Sequence, residues 1–95
     1  MSWADSAIAA LARGERVTIR PRGHSMTPRI VSGQEVTLEP CTVEQAQPYD
    51  AVLTRVGGKV YLHLVLAKQG GRVLIGNNHG HQNGWTSTVY GRQVR

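Results

Sequence analysis

Gly23-His24-Ser25-Met26-Thr27-Pro28 is the stretch whose reading decides the rest of the chain. Gly23 frees the backbone to turn sharply and Pro28 stiffens it again, so the segment reads as a constrained corner. Before it, Arg16-Val17-Thr18-Ile19-Arg20 alternates polar and apolar residues, as a half-buried strand does. After it, Ile30-Val31-Ser32-Gly33-Gln34-Glu35-Val36-Thr37-Leu38 reads as a short apolar turn leading into a second strand. The Ser25 hydroxyl is thereby presented at the end of a strand, where a nucleophile would be placed. The same residues also fit a plain turn whose hydroxyl bonds its own backbone.

The whole chain has 95 residues, enough for one domain spanning 1–95 and a single modest core. Apolar residues make up 40% with no Phe, so Val, Leu and Ile must fill that core, which favours sheet. Charged residues are 18% and spread among many turn signals, which argues against disorder. Cys41 is alone, so neither an internal disulfide nor a cysteine metal site can form. The N-terminal apolar run carries Asp5 and is too short for a signal peptide or a membrane span. A soluble, cytoplasmic protein with no membrane anchor and no cofactor is expected.

Net charge is +5, and five of the eleven Lys and Arg lie between Arg13 and Arg29. Such a bias could attract nucleic acid or an acidic partner, or could simply be a solvated basic surface. No aromatic residues are interleaved with those arginines as stacking platforms, which argues against nucleic acid.

In chain order, Ser2 could cap a short helix through Arg13, with Ala7, Ile8, Ala10 and Leu11 on its apolar face and Gly14 ending it. Strands are expected at 16–20, 34–38, 50–56, 59–66, 72–75 and 86–94. Gly57-Gly58 and Lys68-Gln69-Gly70-Gly71 give hairpin signals, and Cys41 to Pro48 reads as a connector. Gly76 to Gly84 is too polar for core and reads as a loop. The pattern predicts a mainly β fold: a partly open barrel of short, mostly antiparallel strands with one short N-terminal helix.

Serine is a weak nucleophile unless a neighbouring base takes its proton. Four histidines are available: His24, His63, His79 and His81. His24 adjoins Ser25, but consecutive side chains diverge, so it is poorly aimed. His63 sits inside the apolar run Val60-Tyr61-Leu62-His63-Leu64-Val65 and must find a polar partner there. It reads equally as a base or as a hydrogen-bonded structural histidine. His79-x-His81 offers metal-ligand types without a third ligand at matched spacing, so no metal is expected.

Gly-His-Ser-Met-Thr-Pro resembles the nucleophile box of the signal peptidase I and LexA-type serine peptidases, which share a β-rich catalytic domain. The resemblance extends over nearly the whole chain. Gly33-Gln34-Glu35-Val36 resembles the Gly-Asp-x-Val that follows the nucleophile, with Gln34 where Asp is usual. Tyr49-Asp50-Ala51-Val52 is similar to a later Gly-Asp-x-Val, with Tyr49 for Gly. Val60 to Val65 resembles the strand that carries the base, Gly76-Asn77-Asn78 a Gly-Asp-Asn loop, and Tyr90-Gly91-Arg92-Gln93-Val94 the closing Gly-x-Val strand.

The resemblance puts His63 at the base position, where bacterial signal peptidases and LexA-like proteins have lysine; archaeal and endoplasmic-reticulum signal peptidases use histidine. An imidazole titrating near 6.5 is already a competent base at neutral pH. Two acidic positions of the family fall on Asn77 and Asn83, both amides here. In the Ser-His-Asp proteases, replacing that acid by Asn slows the reaction by about 10⁴. Three outcomes follow: a slow Ser25–His63 dyad, an acid recruited from elsewhere such as Asp50, or a domain that no longer cleaves. The hydroxyl that many signal peptidases carry two residues before the nucleophile is here Gly23, which leaves the Ser25 N–H to form the oxyanion hole.

The expected activity is peptide-bond cleavage by acyl transfer, with Ser25 as nucleophile and His63 as general base. The resemblance implies a peptide or protein substrate extended as an added β-strand beside the strand preceding Ser25. Gly23 at the corner, with Ile19, Met26 and Val52 as pocket walls or as core, completes the candidate binding set. The alternative is an inactive module of the same fold that binds a peptide or protein partner without cleaving it, motivated by Asn77, Asn83 and Gln34.

Overall fold

The computed structural model describes residues 3–94. The expected cap at Ser2 lies outside the described residues.

The chain forms one short helix, α1 (Trp3–Ala12), followed by seven strands: β1 (Val17–Ile19), β2 (Val36–Pro40), β3 (Ala51–Val56), β4 (Lys59–Gln69), β5 (Arg72–Gly76), β6 (Gln82–Thr86) and β7 (Val89–Gln93). Ala4, Ala7 and Leu11 recur at helical spacing and are buried. Asp5 in the first turn complements the helix dipole. Gly14 ends the helix at φ +83°, its N–H donating to the Leu11 carbonyl at 3.0 Å.

The strands make a single antiparallel sheet in the order β1-β2-β7-β3-β4-β5-β6. The expected partly closed barrel is corrected here: the sheet does not close, because β1 and β6 each pair on one side only. Pro21 and the Gly23 corner end β1 after three residues.

The hairpins fall where glycine pairs permit positive φ. Gly57 and Gly58 join β3 to β4, and Gly70 and Gly71 join β4 to β5. The chain's last strand slips in between β2 and β3, so β3 is a central strand. Its residues Ala51 to Thr54 are buried on both faces.

Alternation along β3 and β4 divides the core in two. Ala51, Leu53, Leu62 and Leu64 join Leu11, Ile19, Met26, Ile30, Val36 and Leu38 on the helix-covered side. Val52, Val65, Val73 and Ile75 pack with Cys41 and Ala46 on the other. His63 is registered opposite Val52, between Leu62 and Leu64 in sequence.

Several elements differ from expectation: β1 is Val17–Ile19 rather than 16–20, and β2 runs Val36–Pro40 rather than 34–38. β4 continues to Gln69, and the loop expected from Gly76 to Gly84 contains β6 from Gln82. Gly84, at φ +129°, and a register shift at Ile75/Gly76 let this polar segment pair with β5 despite its composition. The last strand begins at Val89 rather than at 86.

Candidate active site

Ser25 stands on a corner braced from both sides. Gly23 adopts φ +109°, a left-handed conformation that favours glycine, and its N–H donates to Ser32 Oγ at 3.1 Å. The Gly33 N–H reaches the Pro21 carbonyl at 2.8 Å. On the far side the Ile30 N–H donates to the Met26 carbonyl at 2.9 Å, which closes a tight turn. Gln34, which stands where the resemblance has Asp, closes that turn: its Oε1 accepts the Val31 N–H at 3.0 Å. The amide can accept a backbone N–H as a carboxylate would, so this departure leaves the corner intact.

His63 comes from the middle of β4 and is only 8% exposed. Its Nε2 lies 3.1 Å from Ser25 Oγ, and its Nδ1 lies 2.7 Å from Asn83 Oδ1 on β6. An amide oxygen can only accept, so Nδ1 carries the proton and donates it to Asn83. Nε2 is then unprotonated and faces the serine hydroxyl, which donates to it. Tyr61, two positions back on the same strand face, stacks on the imidazole with ring centroids 5.0 Å apart. Burial pulls the His63 pKa below the ordinary imidazole value; the Asn83 bond opposes this, and His81 adds to the lowering. At neutral pH the ring is therefore an uncharged acceptor.

The other candidates separate cleanly. Asn77 does not reach His63. Its Oδ1 accepts the N–H groups of His79 at 2.8 Å and His81 at 3.0 Å, which shapes the turn before β6. Asp50 is not recruited as the acid either. It accepts the Gln47 N–H at 2.8 Å and lies 3.5 Å from Arg92 Nη1, while Asn83 occupies the Nδ1 side of His63. Met26 and Gly23 line a pocket of about 370 Å³ that opens beside Ser25 and His63. Ile19 and Val52 are not among its walls. Both are core: Ile19 packs on the helix side, and Val52, fully buried on the opposite side, backs the strand that carries His63. The outward positions next to Ile19 are Thr18 and Arg20, as strand alternation requires.

Two residues, neither of them expected in this role, tie the turn at 77–81 to the corner. Asn78 donates its backbone N–H to the Ser25 carbonyl at 2.9 Å and its Nδ2–H to the Thr27 carbonyl at 3.0 Å. His79 Nε2 reaches the His24 carbonyl at 2.9 Å, with Thr27 Oγ1 3.2 Å away. That contact uses His79 as a strut, and no group of three or more metal-ligating side chains occurs among the described residues. The density of Asn and His in this stretch was the available signal, but composition alone could not say what the loop touches.

The arrangement places an acceptor nitrogen to take the Ser25 proton were its oxygen to attack an electrophile, beside a cleft open to solvent. Compared with protein families, with curated proteins and with solved structures, the chain finds no match in any of the three.

Proposed function

We propose that this chain is a serine peptidase of the signal peptidase and LexA type, working through a Ser25–His63 dyad that Asn83 orients. The observation that carries this reading is the line Ser25 Oγ, His63 Nε2, His63 Nδ1, Asn83 Oδ1, with steps of 3.1 Å and 2.7 Å. Of the hydrogen bonds at the two ring nitrogens, the one to the acceptor-only amide oxygen of Asn83 fixes the tautomer and leaves Nε2 facing the hydroxyl, as a general base needs.

In the proposed reaction Ser25 Oγ attacks a peptide carbonyl carbon while its proton passes to His63 Nε2. The tetrahedral oxyanion is met by backbone N–H at the corner, Ser25's own being the nearest in sequence. His63 then gives the proton to the leaving amine as the C–N bond breaks, leaving an acyl-enzyme. Water, deprotonated by the same nitrogen, releases the acid product and restores Ser25. The substrate lies extended against the free edge of β1, whose unpaired N–H and C=O groups can extend the sheet by one strand.

Asn83 favours a slow enzyme. Its oxygen holds the tautomer but brings no charge to stabilise the imidazolium. This same residue supports the second reading, a peptide-binding module of the same architecture that does not cleave. The two are separated by incubating the protein with unfolded casein and sequencing new termini by mass spectrometry. Cleavage that is lost in both Ser25→Ala and His63→Ala supports the peptidase. Cleavage unaltered by either substitution, or none from the unsubstituted protein, overturns it.

A further inference from the structure

The cluster of arginines at the start of the chain is not used by the dyad, and the structure resolves it unevenly. Arg13 pairs with Glu15 at 3.2 Å, Arg16 with Glu39 at 3.4 Å and Arg20 with Glu35 at 2.6 Å. The Arg29 guanidinium donates to the Tyr49 carbonyl. Arg22 has no ion-pair partner among the described residues, and it lines the pocket beside Ser25.

Its backbone is fixed on either side. The Pro21 carbonyl accepts the Gly33 N–H at 2.8 Å, and the Gly23 N–H donates to Ser32 at 3.1 Å. The Arg22 side chain thus springs from a fixed point of the backbone three residues before the nucleophile. The pocket walls contain no Asp or Glu, and beyond the site residues they are mostly apolar, with Met26, Ile30, Val31 and Leu62 among them. A cleft with an apolar wall, one arginine held by Glu35 and a second, Arg22, without an ion-pair partner among the described residues fits a short aliphatic stem ending in a carboxylate.

We infer that the pocket selects peptides with an acidic side chain, aspartate or glutamate, flanking the bond presented to Ser25, and that Arg22 reads that carboxylate through paired N–H···O bonds. The inference rests on the peptidase reading for the word "bond", but its charge preference belongs to the pocket itself and can be measured without chemistry. Nucleic acid is the lesser occupant, because four of the five arginines already have partners and one cation gives few phosphate contacts.

The test uses Ser25→Ala, which cannot acylate, and three fluorescein-labelled decapeptide pools. One central position is fixed as Glu, Gln or Lys, and the others are drawn from Ala, Val, Leu, Ser and Thr. Anisotropy titration is expected to rank Glu above Gln by about fivefold, with Lys weakest. The preference should shrink at roughly 1 M salt, where the screening length is about 3 Å. In the Ser25→Ala/Arg22→Glu double variant the order should reverse, with the Lys pool bound best; thermal denaturation checks that this variant folds. Equal binding of the three pools, an unchanged order in the double variant, or displacement of the Glu pool by a single-stranded oligonucleotide overturns the inference. The same Glu pool given to the unsubstituted protein keeps the two readings apart. Selective binding with no cleavage sinks the peptidase and leaves the acidic preference standing. Cleavage without charge preference does the opposite.

Discussion

Asn83 Oδ1 lies 2.7 Å from His63 Nδ1, on the far side of the imidazole from Ser25. That contact explains how a neutral side chain can do half of what a carboxylate does. It selects the tautomer that leaves Nε2 free to accept and favours the protonated ring through a neutral hydrogen bond, but it brings no charge to that ring.

Supplying the missing charge should therefore speed the reaction. Asn83→Asp is expected to raise the rate of Ser25 acylation by about tenfold or more, since a carboxylate bond to an imidazolium is roughly twice as strong as a neutral one and the reverse change is costly in Ser-His-Asp triads. It should also raise the His63 pKa, moving the acid limb of the rate profile to higher pH. Acylation rates across pH for both proteins check this, and an unchanged or slower Asn83→Asp would contradict the assigned orientation of the amide.

Burial lowers the pKa of His63 from the ordinary value near 6.5. Activity should fall on the acid side as the ring takes a proton, with its midpoint below 6.5. Stability follows the same group. Between the two pKa values the unfolded chain binds more protons than the folded one, so stability decreases as pH drops through that window. The contribution is fully present above the unfolded value. Melting temperature measured from pH 8 to pH 5 should fall less steeply below 6.5 in His63→Gln than in the unsubstituted protein.

The helix is seated on β7 at Gly91. A Cβ built there would lie 2.7 Å from the Glu39 carbonyl oxygen and 2.8 Å from a Leu11 methyl. Backbone cannot give way cheaply, so Gly91→Ala should destabilise the fold by about 1–3 kcal/mol. For a domain of this size, each kcal/mol lowers the melting temperature by about 4–8 °C. A melting temperature within a degree of the unsubstituted protein would show that the helix is less closely packed than described.

Much of this was readable from local chemistry. Paired glycines marked both hairpins, alternation marked β1, and the strand carrying His63 was expected at 59–66, where β4 lies. The corner was legible because Gly23 and Pro28 constrain it whatever surrounds them. What was not legible depends on long-range pairing. β6 begins with Gln, Asn and Gly, of which Asn and Gly are poor strand formers, and exists because β5 offers it an edge. The insertion of β7 between β2 and β3, and the open ends of the sheet, leave no local trace. Asn77 and Asn83 looked alike in sequence. Only the fold shows that one shapes a turn while the other touches the base.

The most direct test of the central claim is the reaction of a fluorophosphonate with the intact protein, followed by peptide mapping. The Ser25–His63 geometry predicts a single covalent adduct on Ser25, formed faster at pH 8 than at pH 5 and lost in His63→Ala. No adduct on Ser25 at any pH from 6 to 9, or one that forms equally well without the His63 imidazole, would contradict it.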